Sequence, residues 1–285
     1  MKRTSHISEL REIIALEKNR GRKIALIPTM GYLHRGHLAL VERAKQSGAY
    51  VVLSIFVNPL QFGPTEDYSS YPRDLERDAR LVEDAGVDAL FHPTDHEMYP
   101  QPIVTYVEVG QLDSMLCGAK RPGHFRGVVT VVCKLFNIVQ PDLAFFGQKD
   151  YQQYLIIQRM VSDLNLPIEV CPVRIVREQD GLAISSRNIF LTPEQRQEAL
   201  ILSKSLNEAE IQIRSGVRSA REIEMRIRNK ITRASHGVID YVEVRDVGDL
   251  SEVSNIVSTV LIALAVRFGS TRLIDNKVVE VEAVV

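Results

Sequence analysis

Two histidines around a glycine are the residues of this chain whose types and spacing point most directly to chemistry. His34 and His37 flank Gly36, and the glycine lets an anion approach the backbone closely. An apolar run ends at Ile27 before them, and a run with helical periodicity starts at Leu38 after them. The histidines therefore lie where a strand turns into a helix, and free backbone N–H groups at such a turn attract phosphate. This segment predicts a site for nucleotide phosphates.

Two later segments carry cations that suit the same phosphates. Lys149 follows a predicted strand and can act as a point charge, and Gln153 lies one helical turn further on. Arg187 closes the polar residues 181–188, and its guanidinium can form paired hydrogen bonds with phosphate oxygens. Each segment alone also fits a structural use, the first as a helix start capped by Asp150 and the second as a polar connector.

Neutral amides and a basic run form the remaining candidates. Asn58 and Gln61 lie beside Phe62, and this mixture suits a small hydroxy acid with an apolar body, although an Asn-Pro turn with incidental amides explains it equally well. Residues 121–127 hold two arginines and a histidine between glycines. Such a run can receive an anionic group, but a solvated basic loop is its commoner use.

Composition narrows the possible classes of protein. The 285 residues include 35 Lys and Arg against 36 Asp and Glu, so the net charge of -1 argues against nucleic acid as the main partner. The three cysteines are far apart in the chain, which predicts neither a disulfide framework nor a zinc site. We also expect no membrane-spanning segment and a cytoplasmic location, because no apolar run is long enough to span a bilayer and no signal core is visible.

The elements that must position these residues alternate regularly in the first part of the chain. After a first helix at residues 7–17, strands are predicted at residues 23–27, 50–57, 88–92, 142–146 and 168–173, and helices at residues 37–46, 74–84, 128–139 and 151–164. This alternation predicts an α/β fold with a doubly wound parallel sheet. Neither a P-loop nor a G-x-G-x-x-G motif follows the first strand, which disfavours a P-loop kinase and an ordinary dinucleotide dehydrogenase.

The pattern changes after about residue 180. Thr192 and Pro193 begin a long helix to about residue 213, and a second helix at residues 219–234 precedes strands at residues 239–245 and 259–268. We therefore predict a first domain at residues 1–180 and a smaller C-terminal α+β domain at residues 181–285. Loops at this boundary can close over a nucleotide and exclude water, so we expect the C-terminal domain to close over the site.

A family resemblance rests on segments that occur in one order along the chain, at residues 28–37, 56–63, 71–73, 121–127, 146–153 and 181–188. On these segments the chain resembles the pantothenate synthetase (pantoate–β-alanine ligase) family over essentially its whole length. That family belongs to the His-x-Gly-His nucleotidyltransferase superfamily, and its Ser-Ser-Arg-Asn signature matches residues 185–188. The resemblance implies a Rossmann-like domain that binds nucleotide and pantoate.

The resemblance also implies an activity. It is the ATP-dependent condensation of (R)-pantoate with β-alanine, which yields pantothenate, AMP and pyrophosphate through a pantoyl adenylate, with Mg²⁺ and in a homodimer. The ligands of the metal stay unassigned. Two alternatives stay open: another adenylyl- or cytidylyltransferase that shares the His-x-Gly-His motif, and a nucleotide-sensing binding module that has lost turnover.

Residue roles follow from the resemblance in the same way. It implies that ATP is bound by Met30, Gly31, Tyr32, Leu33, His34, Arg35, Gly36, His37, Gly147, Gln148, Lys149, Asp150, Val176, Ile184, Ser185, Ser186 and Arg187. Pantoate would be bound by Gln61, Gln153 and Asn58, and Gln61 would also lie beside β-alanine. The catalytic candidates are His34, His37, Lys149 and Arg187, with His37 as the proton donor. Two residues depart from the family pattern, Gln148 in place of the usual Glu and Ile184 in place of Met or Leu.

Overall fold

The chain forms two compact units in a computed structural model that describes residues 1–64 and 66–281. Unit 1 comprises Met1–Ser114, Arg121–Gln148 and Gln153–Arg174, and unit 2 comprises Met115–Lys120, Lys149–Gln152 and the chain from Ile175 onward. The predicted domain boundary at residue 180, and the closure of the second domain over the site, stay predictions.

Unit 1 is built on one parallel sheet. Its strands are β1 (Lys2–Thr4), β2 (Ile24–Thr29), β3 (Tyr50–Ile55), β4 (Ala89–Phe91), β5 (Leu143–Gly147) and β6 (Glu169–Val173). They pair in the order β1-β4-β3-β2-β5-β6, and every pairing is parallel. Thr29 at the end of β2 pairs with Ile55 at the end of β3, so the loops after these two strands start side by side. The predicted α/β fold is confirmed.

The α-helices of the described chain are α1 (Ile7–Asn19), α2 (Arg35–Gln46), α3 (Leu75–Asp84), α4 (Asp95–Met98), α5 (Leu116–Lys120), α6 (His124–Val139), α7 (Tyr151–Asp163), α8 (Pro193–Arg214) and α9 (Ala220–Ala234). In unit 1, apolar residues of α2 and α3 form one buried cluster with alternate residues of β2 and β3, including Ile27 and Leu53. Side chains on a strand alternate between the two faces of the sheet, so the neighbouring Leu26 and Val52 are buried on the opposite face. Helices α1 and α6 contact β2 as well.

Unit 2 has an antiparallel sheet of three strands, β7 (Val238–Asp246), β8 (Val260–Phe268) and β9 (Thr271–Val279), with β8 in the centre. Helices α8 and α9 share a buried apolar cluster with all three strands. Helix α8 begins as predicted: the side chain of Thr192 accepts a hydrogen bond from the Gln195 N–H, and the Gln195 side chain accepts one from the Thr192 N–H.

Several elements differ from the sequence predictions. Strands β1 and β9 were not predicted, because β1 has only three residues and β9 interrupts its apolar pattern with the buried polar residues Asp275 and Asn276. Helix α6 begins at His124, one turn before the predicted residue 128, because Gly123 caps it with a left-handed backbone at φ 79°. Residues 124–127 are therefore helical and do not form a loop.

The structure also bears on membrane insertion and on the cysteines. None of the described helices has both the length and the apolar composition needed to cross a bilayer. Cys117, Cys133 and Cys171 are free thiols, of which Cys117 is buried.

Candidate functional site

The N-terminus of α2 carries both histidines of the predicted phosphate site. His34 is the residue that caps the helix, His37 lies in its first turn, and their rings stack with centroids 4.0 Å apart. The backbone N–H of His34 donates to Nδ1 of His37 at 3.2 Å, so the proton of a neutral His37 ring sits on Nε2. A Cβ on Gly36 would lie 3.0 Å from two atoms of the His34 ring, a tighter contact than most Cβ atoms make.

The electrostatic character of this helix start favours an anion. The first turn of α2, which lies wholly in the described chain, contains no acidic residue, and Arg35 is exposed there. Unpaired N–H groups and the helix dipole give such a terminus a partial positive charge. The first turn of α2 can therefore receive a phosphate together with the Nε2–H of His37.

The turn that leads into α2 is held by a buried carboxylate, Asp78. Its two oxygens accept the N–H groups of Tyr32 at 2.6 Å and Leu33 at 2.8 Å. Burial raises the pKa of Asp78 and outweighs these hydrogen bonds, which favour the charged form. Gly31 and Tyr32 both have positive φ angles, 82° and 49°. Glycine adopts such angles readily and tyrosine does not, so the carboxylate holds Tyr32 in an otherwise unfavourable backbone conformation.

The amides predicted to bind a hydroxy acid lie on the loop after β3. Asn58 and Gln61 begin and end a short 3-10 turn, and both side chains are buried. The Asn58 amide donates to Oε1 of Gln61 at 3.2 Å and to the carbonyl of Gly127 at 3.1 Å, and its oxygen accepts the hydroxyl of Tyr99 at 2.8 Å. Burial raises the pKa of Tyr99 well above its usual range, so this hydroxyl stays protonated and remains a donor.

Met30 joins the phosphate turn to the amide pair. The Gln61 side-chain amide lies 3.0 Å from Sδ of Met30, and Met30 directly follows β2. Since the ends of β2 and β3 are paired in register, the two loops meet at the carboxyl edge of the sheet. The structure thus brings together the predicted nucleotide turn and two of the three predicted pantoate residues, Asn58 and Gln61.

The remaining predicted residues of unit 1 lie further along the same sheet. Gly147 is the last residue of β5, which pairs with β2, and Gln148 begins the 3-10 turn that follows. Gln153 is partly buried in the first turn of α7. These residues also follow the carboxyl end of a parallel strand, which is where open α/β sheets bind ligands.

Helix α6 packs directly on the turn that carries Asn58 and Gln61. A Cβ on Gly127 would lie 2.2 Å from the carbonyl oxygen of Leu60 and 2.6 Å from Cα of Gln61. Only glycine permits this approach of the helix to the turn, because real Cβ atoms do not come so close to backbone. Gly127, the last residue of the run 121–127, therefore has a packing role at the site.

The basic residues of the same run already hold an anion, the carboxylate of Glu66. Arg121 donates to both oxygens of Glu66 at 2.6 and 2.7 Å. Burial disfavours the charge of Glu66, but the hydrogen bonds and charge of Arg121 prevail and lower the pKa of Glu66 to about 2. Another guanidinium N–H lies 2.9 Å from Nε2 of His124, so Nδ1 of a neutral His124 carries the proton and donates to the Gln61 carbonyl at 2.9 Å.

Unit 2 contains the two cations predicted to meet phosphate, Lys149 and Arg187, and the serines at residues 185 and 186. Lys149 and Asp150 end the 3-10 turn, with Nζ of Lys149 at 3.7 Å from Oδ2 of Asp150. The Lys149 side chain is 21% exposed, and that of Asp150 is 50% exposed. The carbonyl of Lys149 accepts the side-chain N–H of Asn276 at 2.8 Å, so the backbone of this residue is tied to β9.

Residues 176–187 form a loop, named here loop 176–187, that begins as a narrow hairpin. The N–H of Ile184 donates to the carbonyl of Val176 at 3.0 Å, and Ile184 is buried. Ser185 caps the 3-10 turn Ser186–Phe190 by accepting the N–H of Arg187 at 3.3 Å. Arg187 itself is partly buried. All the predicted ATP residues from Lys149 onward thus lie in unit 2, and those before it lie in unit 1.

The residues that hold the site in place were not predicted from the sequence. Asp78 lies within the helix predicted at residues 74–84, on the same face as the apolar residues Leu75, Ala79 and Val82. A carboxylate on the apolar face of a helix is a sequence signal for a buried, functional side chain. Glu66 and Tyr99 gave no such signal, because their partners Arg121 and Asn58 are distant in sequence.

Comparisons with known proteins agree on one family. A model of the family described as Pantoate-beta-alanine ligase matches residues 2–278. Proteins named pantothenate synthetase from Desulfitobacterium hafniense and Acetivibrio thermocellus are 65% and 57% identical to this chain. Each similarity covers 96% of this chain, and 97% and 98% of the respective relatives.

Solved structures give the same result. The chain is similar to the crystal structure of pantothenate synthetase from Thermus thermophilus, with a TM-score of 0.92, 47% identity and coverage of 97% of this chain and 99% of that one. It is also similar to pantoate-beta-alanine ligase from Francisella tularensis, complexed with beta-gamma ATP and beta-alanine. That similarity has a TM-score of 0.80 and 32% identity, and it covers 98% of this chain and 97% of that one.

Proposed function

The chain belongs to the pantoate-beta-alanine ligase family, and we propose that it condenses (R)-pantoate with β-alanine, converting ATP to AMP and pyrophosphate. The observation that supports this most directly is the 3.0 Å contact between Met30 and Gln61, which joins a phosphate-binding turn to a buried amide pair. A nucleotide and a small hydroxy acid bound at these two places have their reacting groups beside each other. This adjacency is what transfer of an adenylyl group to a carboxylate requires.

The reaction proceeds in two steps for a chemical reason. A carboxylate is a poor acyl donor to an amine, because its leaving group would be oxide. In the first step a pantoate oxygen attacks the α-phosphorus of ATP, and pyrophosphate leaves. In the second step the amine of β-alanine attacks the carbonyl of the pantoyl adenylate, and AMP leaves. Neither step uses a nucleophile from the protein, so Ser185 and Ser186 serve as hydrogen-bonding residues.

Four residues have proposed roles toward the phosphates of the nucleotide. The first turn of α2 and the Nε2–H of His37 meet the negative charge that grows on the phosphates as pyrophosphate departs. His34 caps the same turn and supports the His37 ring by stacking. Lys149 contributes a partly exposed ammonium group and Arg187 a guanidinium group. The four residues act chiefly on the transition state of adenylation.

Pantoate is bound through neutral amides. Asn58 already uses its amide and its oxygen on groups of the protein, so it orients Gln61. Gln61 keeps one further N–H and its Oε1 lone pair for the hydroxyl and carboxylate of pantoate, and it lies beside β-alanine in the second step. Gln153, at the start of α7, supplies the second amide.

Magnesium enters with the nucleotide in this proposal. The described residues contain no cluster of three or more His, Cys, Asp or Glu side chains that would form a protein cage. Mg²⁺ keeps several waters and is commonly held by substrate phosphates with one or two carboxylates. Asp150, half exposed beside Lys149, has the chemistry of such a carboxylate. When bound, the ion neutralises charge on the departing phosphates.

A pyrophosphate-release assay with a matrix of acids and amines tests this function. We expect turnover with ATP, (R)-pantoate and β-alanine. Turnover should fall when pantoate is replaced by an acid that lacks its hydroxyls, and when β-alanine is replaced by an analogue that lacks the β-amine. Turnover that requires a phosphorylated acceptor and not pantoate would favour a different nucleotidyltransferase. ATP binding without turnover for any pair would favour a binding module.

A homodimer and a cytoplasmic location are part of the same proposal. Residues 103–109 form neither helix nor strand, and Val104 and Tyr106 among them have exposures of 89% and 41%. Exposed apolar side chains on one segment suit contact with the same segment of a second copy. A Val104→Glu variant should sediment as a monomer where the parent chain sediments as a dimer. Three free thiols and the use of ATP suit a reducing, ATP-containing compartment.

A further inference from the structure

Strand β9 carries two adjacent polar residues, Asp275 and Asn276, that are almost fully buried, with exposures of 2% and 5%. Burial of a polar group is unfavourable unless it is hydrogen-bonded, so the partners of these side chains indicate what they do. Adjacent residues on a strand project to opposite faces of the sheet. The pair therefore reaches two different parts of unit 2 from one point on one strand.

Asp275 holds loop 176–187. Its two carboxylate oxygens accept the two terminal N–H groups of Arg177 at 2.7 and 2.9 Å. The same guanidinium also donates to the carbonyl of Gly181 at 3.1 Å, across the hairpin. Gly181 has φ 97° and turns the chain back toward Ile184. One ion pair thus anchors both sides of the hairpin that leads to Ser185, Ser186 and Arg187.

Asn276 holds the backbone of Lys149. Its side-chain amide donates to the Lys149 carbonyl at 2.8 Å. The two groups are 127 residues apart in sequence, so this bond fixes the Lys149 segment by tertiary structure. The backbone N–H of Asn276 donates to Oδ1 of Asp275 at 2.8 Å, which fixes the Asp275 carboxylate against the backbone of β9.

We propose that Asp275 and Asn276 are positioning residues for adenylation, of which Asp275 fixes the loop that presents Arg187 and Asn276 fixes the backbone that presents Lys149. The inference rests on the proposed function, because it assigns both cations to the phosphates of ATP. It explains why a strand in the smaller unit keeps two buried polar residues where apolar ones would pack. Preorganised charges stabilise a transition state only when their positions are fixed, and small displacements are costly in rate.

Two nearly isosteric variants and one control from the same strand test the proposal. Asp275→Asn removes the charge and one acceptor facing Arg177, and Asn276→Asp removes the donor facing Lys149. Lys277→Ala is the matched control, because Lys277 is the next residue of β9 and pairs with Asn207 and Glu210 on α8. Each variant is measured as the full chain by hydrogen exchange and by both half-reactions.

Hydrogen exchange separates local anchoring from general stability. We expect Asp275→Asn to speed amide exchange in loop 176–187 and not in residues 149–152, and Asn276→Asp to do the reverse. In the half-reactions, each variant should slow pyrophosphate release from ATP and pantoate by about tenfold or more. For each variant, the rate of transfer from supplied pantoyl adenylate to β-alanine and the KM for pantoate should stay within about twofold of the values for the Lys277→Ala control. The control itself loses only a surface pair, so we expect it to behave like the parent chain.

Two results would overturn the proposal. One is adenylation by both variants at the rate of Lys277→Ala. The other is faster exchange throughout unit 2 with equal slowing of both half-reactions, which would mean that the pair only supports the fold. If the parent chain releases no pyrophosphate from ATP and pantoate, the proposed function fails instead. In that case the reciprocal exchange pattern still decides whether the pair anchors the two segments.

Discussion

At the scale of single residues, the candidate site combines residues that we propose to bind substrate with residues that hold them in place. The Nδ1 of His37 accepts the N–H of His34, so a neutral His37 ring carries its proton on Nε2, the group that we propose to meet a phosphate. His124 shows the same division in a supporting role, since Nε2 faces Arg121 and the Nδ1–H holds the Gln61 carbonyl. The hydrogen bond on one ring nitrogen thus assigns the task of the other nitrogen.

Loss of His37 should affect one half-reaction more than the other. His37→Ala and Lys149→Ala should each slow adenylation by about 10²-fold or more, the usual effect of removing one preorganised donor. Transfer from preformed pantoyl adenylate to β-alanine should keep a substantial fraction of its rate, because pyrophosphate has already left. Rapid-quench kinetics of each half-reaction measures both quantities. Equal collapse of both steps in a folded protein would show that these residues shape the whole site.

Loss of Gln61 should affect pantoate and not ATP. In Gln61→Ala the hydroxyl or carboxylate of bound pantoate loses a hydrogen-bond partner. The pantoate-dependent kcat/KM should therefore fall, by an amount that corresponds to a loss of roughly 1–3 kcal/mol in transition-state stabilisation. The Kd of ATP alone, measured by calorimetry, should barely change. An equal loss of ATP affinity would contradict the assignment of Gln61 to pantoate.

At the scale of elements, the turn that carries Asn58 and Gln61 depends on a helix that approaches it closely. Gly127→Ala would place a Cβ 2.2 Å from the Leu60 carbonyl, so α6 or the turn must move. We expect a loss of about 1–3 kcal/mol in unfolding free energy and a higher KM for pantoate. Gly110→Ala is the control, because a Cβ there meets nothing within 4 Å. Parent-like stability and KM in Gly127→Ala would show that the close contact has no functional role.

The ion pair between Arg121 and Glu66 predicts a pH dependence of stability. The pKa of Glu66 is lowered from 4.5 to about 2, so its ionised form stabilises the fold above pH 4.5, and this contribution is lost as pH falls toward 2. Glu66→Gln should therefore lower the unfolding free energy by about 2 kcal/mol at pH 7, after allowance for partial exposure of the pair. Urea unfolding from pH 7 to pH 3 should show this difference shrinking. A difference that is constant over that range would contradict the ion pair.

The elements that carry the chemistry could be predicted from sequence, and the elements that support them could not. Strands β2, β3 and β5 and helix α2 have strong apolar periodicity, and the ends of these strands carry His37, Gln61 and Lys149. Strand β9 was not predicted because polar residues such as Asp275 and Asn276 usually indicate an exposed segment. Their burial is explained only by partners that are distant in sequence. Asp78 differs, because its place in an apolar stripe indicates burial, and only its partner Leu33, 45 residues away, could not be predicted.

At the scale of the whole molecule, the residues proposed for the reaction are distributed over both compact units. Unit 1 contains the phosphate turn and the amide pair, and unit 2 contains Lys149 and Arg187. The family match extends over residues 2–278 and so includes both units.

The most direct test of this account is the release of pyrophosphate in the absence of β-alanine. The chain is mixed rapidly with ATP, Mg²⁺ and (R)-pantoate, and pyrophosphate is counted against active sites. We expect a burst of about one equivalent per site, because the adenylate forms and then waits for the amine. Addition of β-alanine should then give continuous turnover. Pyrophosphate that appears only after β-alanine is added would contradict the acyl-adenylate route and with it the central claim.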